Sequence, residues 1–328
     1  MSRGRGMSRG GLCLLTSLAW CLVGCTYLLG DIDTPPSPSD AMRELVSDIA
    51  AYARSVDNQF IVIAQNGDEL LTTGDTASAP LANDYVSAID GLGREDLFYG
   101  YDEDNEVTPV ESTEWMLSYL DRAEDVGIEV LVIDYCWGHT RMDDSMARNA
   151  MHGFVSFAAL DRMLDVIPEY PAHPANESAD DIHSLSHVGN FLYLINPWRF
   201  RSKQAFVDAL AQTTYDALIL DLEFKGDILM AEEVDVLKRK ANGGSRLVLC
   251  YLSIGEAEDY RSYWDLAWFV NPPSWLQEEN PDWEGNFPVA FWHPAWREIV
   301  FAMLDQVLAA GFNGVYLDRV DVYEEFED

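Results

Sequence analysis

Basic side chains are scarce in this chain: 21 Lys and Arg stand against 56 Asp and Glu in 328 residues, a net charge of −35. So acidic a polypeptide repels polyphosphate, which argues against general nucleic-acid binding. Cysteine is also sparse, five in all, and only Cys136 and Cys250 lie beyond residue 25. Both follow apolar runs in distant parts of the chain, so no disulfide framework is expected. Neither G-x-x-x-x-G-K-[ST] nor G-x-G-x-x-G occurs, Ser253 in YLSIGEAE sits in no G-x-S-x-G elbow, and His183 and His187 have no further ligand motif around them. Phosphate cradles, serine hydrolysis and zinc binding therefore lack their signatures, and no metal or organic cofactor is called for. What the chain has in quantity is core material, 48% apolar and 12% aromatic, far from the composition of a disordered protein.

The first 24 residues combine Arg3, Arg5 and Arg9 with the apolar run LCLLTSLAWCLVG and carry no acid. This reads as a secretory signal peptide. It ends in Leu22-Val23-Gly24-Cys25, which resembles a bacterial lipobox with Cys25 as the lipid acceptor. The expectation is a membrane-anchored lipoprotein at the periplasmic face or cell surface. The Pro, Ser and Asp content of residues 25–39 suits a flexible tether.

From residue 40 the pattern alternates. Met42, Leu45, Val46, Ile49 and Ala53 recur at helical spacing, with Ser39 or Asp40 placed to cap the start. Strand-like runs follow at 60–66, 85–90, 129–135 and 153–158, then a Pro-rich acidic linker at 168–187, then runs at 191–196, 215–222, 245–252 and 312–318. Most are continuously apolar, as strands buried on both faces of a parallel sheet must be. Eight of them separated by helices predict one (β/α)8 TIM barrel over 40–328, its halves 40–167 and 188–328 joined by the linker. The opening helix has no strand before it and the closing strand no helix after it, so the ring looks cut between one strand and its own helix. Two separate half-barrels are the alternative, but each would have to bury open parallel edges.

Barrel chemistry gathers at the C-terminal strand ends. Acids stand there in VLVID, ALILD and GVYLD, which end in Asp134, Asp221 and Asp318, with Glu95 after AIDGLGR and Glu256 after YLSIG. One such acid is an ordinary helix cap, but five converging ones repel each other and raise pKa values, a cost associated with acid/base work. Six of the ten tryptophans fall between Tyr260 and Trp296. Trp264 and Trp268 could be the buried face of a helix. Trp275, Trp283 and Trp292 lie among Pro, Asn, Gly and acids, and exposed indoles beside carboxylates suit sugar rings.

The stretches LCYLSIGEAEDYRSYW (249–264), NPDWEGNFPVAFWHPAW (280–296), GFNGVYLDRVDVYE (311–324), FIVIAQNGDELL (60–71) and AIDGLGREDLFYG (88–100) resemble a family of extracellular glycoside hydrolases related to glycoside hydrolase family 114 and the endo-α-1,4-polygalactosaminidases. In that family the YLDRVDVYE-like segment precedes the VIAQNG-like and AIDGLGREDLFYG-like ones. Here it closes the chain, so the resemblance implies a circular permutation. It also implies a catalytic pair, Asp318 and Glu95, with Asp90 a nearby rival for the second place. Two carboxylates would flank the glycosidic oxygen, Asp318 as ionised nucleophile or base and Glu95 as acid. Asp221, Glu256, Asp134, Asn66, Tyr251, Trp283 and Trp292 become candidates for holding the sugar. The implied activity is cleavage of an extracellular polysaccharide, an amino-sugar polymer such as α-1,4-polygalactosamine being one that an acidic mouth would attract. A non-catalytic carbohydrate-binding envelope lipoprotein on the same scaffold is the alternative.

Overall fold

The computed structural model describes residues 37–327; the signal peptide, Cys25 and most of the tether lie outside them. Eight strands form one parallel sheet: β1 (Ile61–Gln65), β2 (Gly91–Glu95), β3 (Glu129–Tyr135), β4 (Val155–Ala159), β5 (Phe191–Leu194), β6 (Ala217–Asp221), β7 (Leu247–Ser253) and β8 (Gly314–Asp318). Their order is β4-β3-β2-β1-β8-β7-β6-β5. The first and last strands are thus hydrogen-bonded neighbours, with Ile61 opposite Gly314 and Ala64 opposite Leu317. Between β4 and β5 there is no ladder, and the seam is bridged by Phe157 and Phe191, whose ring centroids lie 5.8 Å apart. The sheet is a nearly closed (β/α)8 barrel, and both halves of the described chain contribute to it.

Among the described residues seven α-helices pack outside: α1 (Pro38–Val56), α2 (Asn83–Ala88), α3 (Val110–Asp125), α4 (His139–His152), α5 (Lys203–Ala211), α6 (Ala231–Leu237) and α7 (Pro294–Ala310). Helix α1 buries Met42, Leu45, Val46, Ile49 and Ala53, the stripe its periodicity predicts. It starts at Pro38 with Ser37 as cap, two residues before the expected cap, because proline's fixed φ suits the first helical position. Its flanks meet α2 and α7: Tyr52 packs edge-on against Phe301 and donates a 2.6 Å hydrogen bond to Asp305. In this way α1 fills the place between the last strand and the first.

One expected strand is a helix. Residues 85–90 belong largely to α2, where Tyr85 and Ala88, three apart, turn inward, and the strand is the Gly-rich GLGRE that follows. Its interior side has no room for bulk, because Tyr316 from β8 lies across Gly93. The lumen is filled by aromatic rings with polar tips. Tyr193 and Tyr316 stand 5.2 Å apart, and Tyr193 donates to Gln65 at 3.0 Å. The stretch 168–187 packs onto the barrel, burying Ile182 and Leu185, and Ser178 O accepts from Lys240 Nζ at 2.9 Å.

A methyl group at Gly93 would collide with Tyr316, whose ring is fully buried and has nowhere to move. Gly93→Ala is expected to lower stability by about 1–3 kcal/mol, read from the urea unfolding midpoint.

Candidate active site at the barrel mouth

Side chains on a strand alternate between its two faces, and this decides which acids reach the mouth. On β8, Tyr316 points into the lumen, so Asp318, two residues on, does too. On β2, Gly93 faces the lumen and Glu95 follows it with the same parity. Asp318 accepts a 2.6 Å hydrogen bond from Tyr251 Oη on β7. Glu95 accepts from Tyr135 Oη on β3 and, at 3.2 Å, from Asn66 Nδ2, while the Asn66 side-chain oxygen accepts from Glu95 N at 3.3 Å. Asn66 can do this because it leaves β1 in the left-handed region, φ 60°, a conformation asparagine tolerates better than most residues.

The two carboxyl groups feel each other. Asp318 is pushed up to about 7, first by burial and next by the charge of Glu95, against the lowering effect of Tyr251. The Tyr193 and Tyr316 hydroxyls are raised by burial and by both carboxylates. Glu95 and Asp318, 223 positions apart in sequence (318 − 95), therefore lie at the same end of the barrel, near enough for the charge of one to act on the other. Asp90 belongs elsewhere: it sits before β2, paired with Arg54 at 2.8 Å and accepting from Val62 N at 2.8 Å. A five-residue strand, about 16 Å at 3.3 Å per residue, separates it from Glu95.

The remaining candidates divide. Asp221 lies at the end of β6 in a bidentate pair with Arg261, 2.7 and 2.6 Å, and the same guanidinium donates to Glu258 at 2.6 Å. Glu256 is buried between Asn280 at 2.8 Å and Arg319 at 3.0 Å. Asp134 does not reach the mouth. It is wholly buried on the opposite face of β3 from Tyr135, where it accepts from Phe98 N, Tyr99 N, Ser145 Oγ and Asn149 Nδ2. With all these donors on it, it pins the β2–α3 loop to helix α4.

Trp283 is 43% exposed and free to meet a ligand. Trp292 is half-buried against Phe291 and Phe326. Trp275, expected on the surface, is only 3% exposed and packs between Trp268 and Trp296. Trp264 and Trp268 touch at 5.0 Å beside a 3-10 turn, Leu266–Phe269, and not on an α-helix.

Four residues at the site have no counterpart among the sequence candidates. Tyr135 holds Glu95, and the Arg162 guanidinium lies 4.2 Å over the Tyr135 ring. Asp96, beside Glu95 at φ 61°, is pushed up to about 7 by burial while Arg162 holds it at 2.9 Å. Asp321 lies in a 3-10 turn after β8 with its Oδ1 buried, 3.6 Å from Arg319 Nη1 and without a hydrogen bond, and burial raises its pKa against the charge of Arg319. Strand parity was the available signal for Tyr135: adjacent residues cannot share a face, so Asp134 and Tyr135 could not both line the mouth.

Asp318 has its folded pKa above the ordinary value of 3.8, so the folded state keeps the proton longer than the unfolded chain does. Its contribution to stability is present at low pH and is lost as pH rises through about 4 to 7. Asp318→Asn, which cannot ionise, is expected to exceed the wild type in stability at pH 8 by on the order of 2 kcal/mol. The gap should close toward pH 4, as measured by urea unfolding across the range.

Known proteins resemble part of this chain. Residues 195–328 match the profile of the glycoside-hydrolase family GH114. An uncharacterized protein of Methanocaldococcus jannaschii is 39% identical over 150 residues, 45% of this chain and 42% of that one. Uncharacterized proteins of Deinococcus radiodurans and Thermotoga maritima are 41% identical over 126 residues and 36% over 140. These matches cover 38% and 43% of this chain and 39% and 43% of theirs, so the chain spans about two fifths of the length of the curated relatives it matches. Across residues 195–328, which supply Asp221, Tyr251, Glu256 and Asp318, the chain is glycoside-hydrolase GH114-like.

Proposed function

We propose that this protein is a glycoside hydrolase that cleaves an extracellular polysaccharide with Asp318 and Glu95 as its two carboxylates. The observation that carries the reading is their meeting at the C-terminal end of the barrel, each held by a tyrosine hydroxyl and the charge of Glu95 acting on Asp318. Their surroundings favour the reverse of the roles expected from sequence. Asp318, pushed up to about 7, keeps its proton in a large share of molecules near neutral pH and in most below it, and is the general acid: it protonates the glycosidic oxygen as the C–O bond breaks. Glu95, whose oxygens accept from Tyr135 and Asn66, is the carboxylate that works at the anomeric carbon, as nucleophile or as base toward water. Asp221 and Glu256 are committed to Arg261 and Arg319, so they shape the rim, and Trp283 offers an exposed face for a pyranose ring.

The excess of 35 negative charges favours a cationic polymer, and an amino-sugar chain such as α-1,4-polygalactosamine is the substrate we infer. We infer that the barrel is a circularly permuted form of the family's. The packing of α1, which no strand precedes among the described residues, between α7 and α2 supports this. So does the confinement of the matches to about two fifths of each chain, since an alignment of reordered segments follows only one of them. A lipid on Cys25, holding the enzyme at the periplasmic face or cell surface, completes the proposal.

The test is release of reducing ends from polygalactosamine and from neutral glycans, with products identified by mass spectrometry. Asp318→Asn and Glu95→Gln should each lower kcat by about 10²–10⁴-fold while glycan binding persists. Activity should fall as pH rises through about 7, where Asp318 loses its proton, and Tyr251→Phe should move that limb to higher pH. Binding with no turnover on any glycan would favour the non-catalytic reading instead.

A further inference from the structure

Helix α6 is only seven residues long, about 10 Å, whereas α7 has seventeen, about 25 Å. These two helices are neighbours on the outside of the barrel, so the shorter leaves much of the longer one's flank uncovered. A cavity of about 230 Å³ lies there, walled by Leu222, Leu252 and Tyr263 from the strand side and by Ile299 and Met303 from α7. At about 30 Å³ per water, it has room for on the order of eight water-sized groups. Neither Asp318 nor Glu95 lines it, although Tyr251, whose hydroxyl donates to Asp318, also borders it.

The charges around this cavity are unbalanced. Glu223, Glu258 and Glu298 line it, and Arg261 is its one basic residue. That guanidinium is already spent, with both Nη atoms on Asp221 and Nε on Glu258. Among the described residues neither Glu223 nor Glu298 has a basic partner within ion-pair distance. Burial pushes the Glu223 carboxyl up, against the nearby charge of Arg261 and a hydrogen bond from Ser262, and a further cation beside it would relieve the burial. An anion would meet three carboxylates, and a purely apolar guest would deepen the desolvation of Glu223 without adding a counter-ion.

We propose that this flank cavity is a binding site for a small organic cation, a primary ammonium on a compact apolar body, with Glu223 as its counter-ion. The apolar body lies against Leu222, Leu252, Ile299 and Met303, and the ammonium points to the rim where Glu223 and Glu298 stand. Nothing in this assignment depends on the chemistry at the barrel mouth.

The experiment is calorimetric titration of the full chain at low ionic strength with cyclohexylammonium and with cyclohexanol, its neutral counterpart of similar shape. Cyclohexylammonium should bind one per chain, and cyclohexanol about tenfold or more weakly, the difference expected of one partly buried ion pair. Glu223→Gln should weaken the ammonium by a similar factor. Ala302→Trp, at an exposed position on the lip, should abolish binding by filling the opening without touching a carboxylate. Glu95→Gln, at the mouth, should leave it unchanged. Equal binding of cyclohexanol, no binding of the ammonium, survival of binding in Ala302→Trp, or its loss in Glu95→Gln would each overturn the assignment.

Discussion

The parallel pairing of Ile61–Ala64 with Gly314–Leu317 is the contact on which everything else rests. It joins residues some 250 positions apart (314 − 61 = 253), so its loop-closure entropy is high and it must form with the rest of the sheet, not ahead of it. Once made, it sets β2 and β8 on either side of β1. Glu95 and Asp318, at the ends of those two strands, then come to the same end of the barrel. The α1 helix secures the closure from outside by packing between α7 and α2.

The lumen explains how two acids can be held so near each other. Tyr135, Tyr193, Tyr251 and Tyr316 fill it with rings, and two of their hydroxyls are spent on Glu95 and Asp318. A tyrosine does here what neither a leucine nor a serine could: it packs a barrel interior and still offers a donor at the rim. Gly93 is the complement of that choice, since a strand facing Tyr316 has to give up its side chain.

Much of this was legible from residues alone. Seven of the eight strands lie in apolar runs, and α1 buries the stripe its spacing predicts. Asp318 and Glu95 both stand at strand ends facing inward. The misses have physical reasons. Tyr85, Val86 and Ile89 carry strand propensity, yet a helix buries that stretch, while the true strand, GLGRE, is poor in apolar residues because its space is filled from β8. Asp134 ends an apolar run as Asp221 and Asp318 do, but it lies one residue out of phase and faces the helices. Trp275 sits among Pro and Asn, the company of a surface loop, but that loop folds back on Trp268 and Trp296 and builds a small core of its own. Which acid keeps a proton was beyond any pattern, because it depends on desolvation and on a neighbour 223 positions away.

The seam between β4 and β5 lies diametrically across the ring from the β1–β8 junction. No backbone ladder crosses it; the joint is made by the rings of Phe157 and Phe191 and by hydrogen bonds from Ile195 N and Asn196 N to Leu164 O, beyond the strand ends. Glu95 and Asp318 sit on the opposite arc, where each strand is laddered to both neighbours, so the weakest joint of the ring lies away from the two carboxylates.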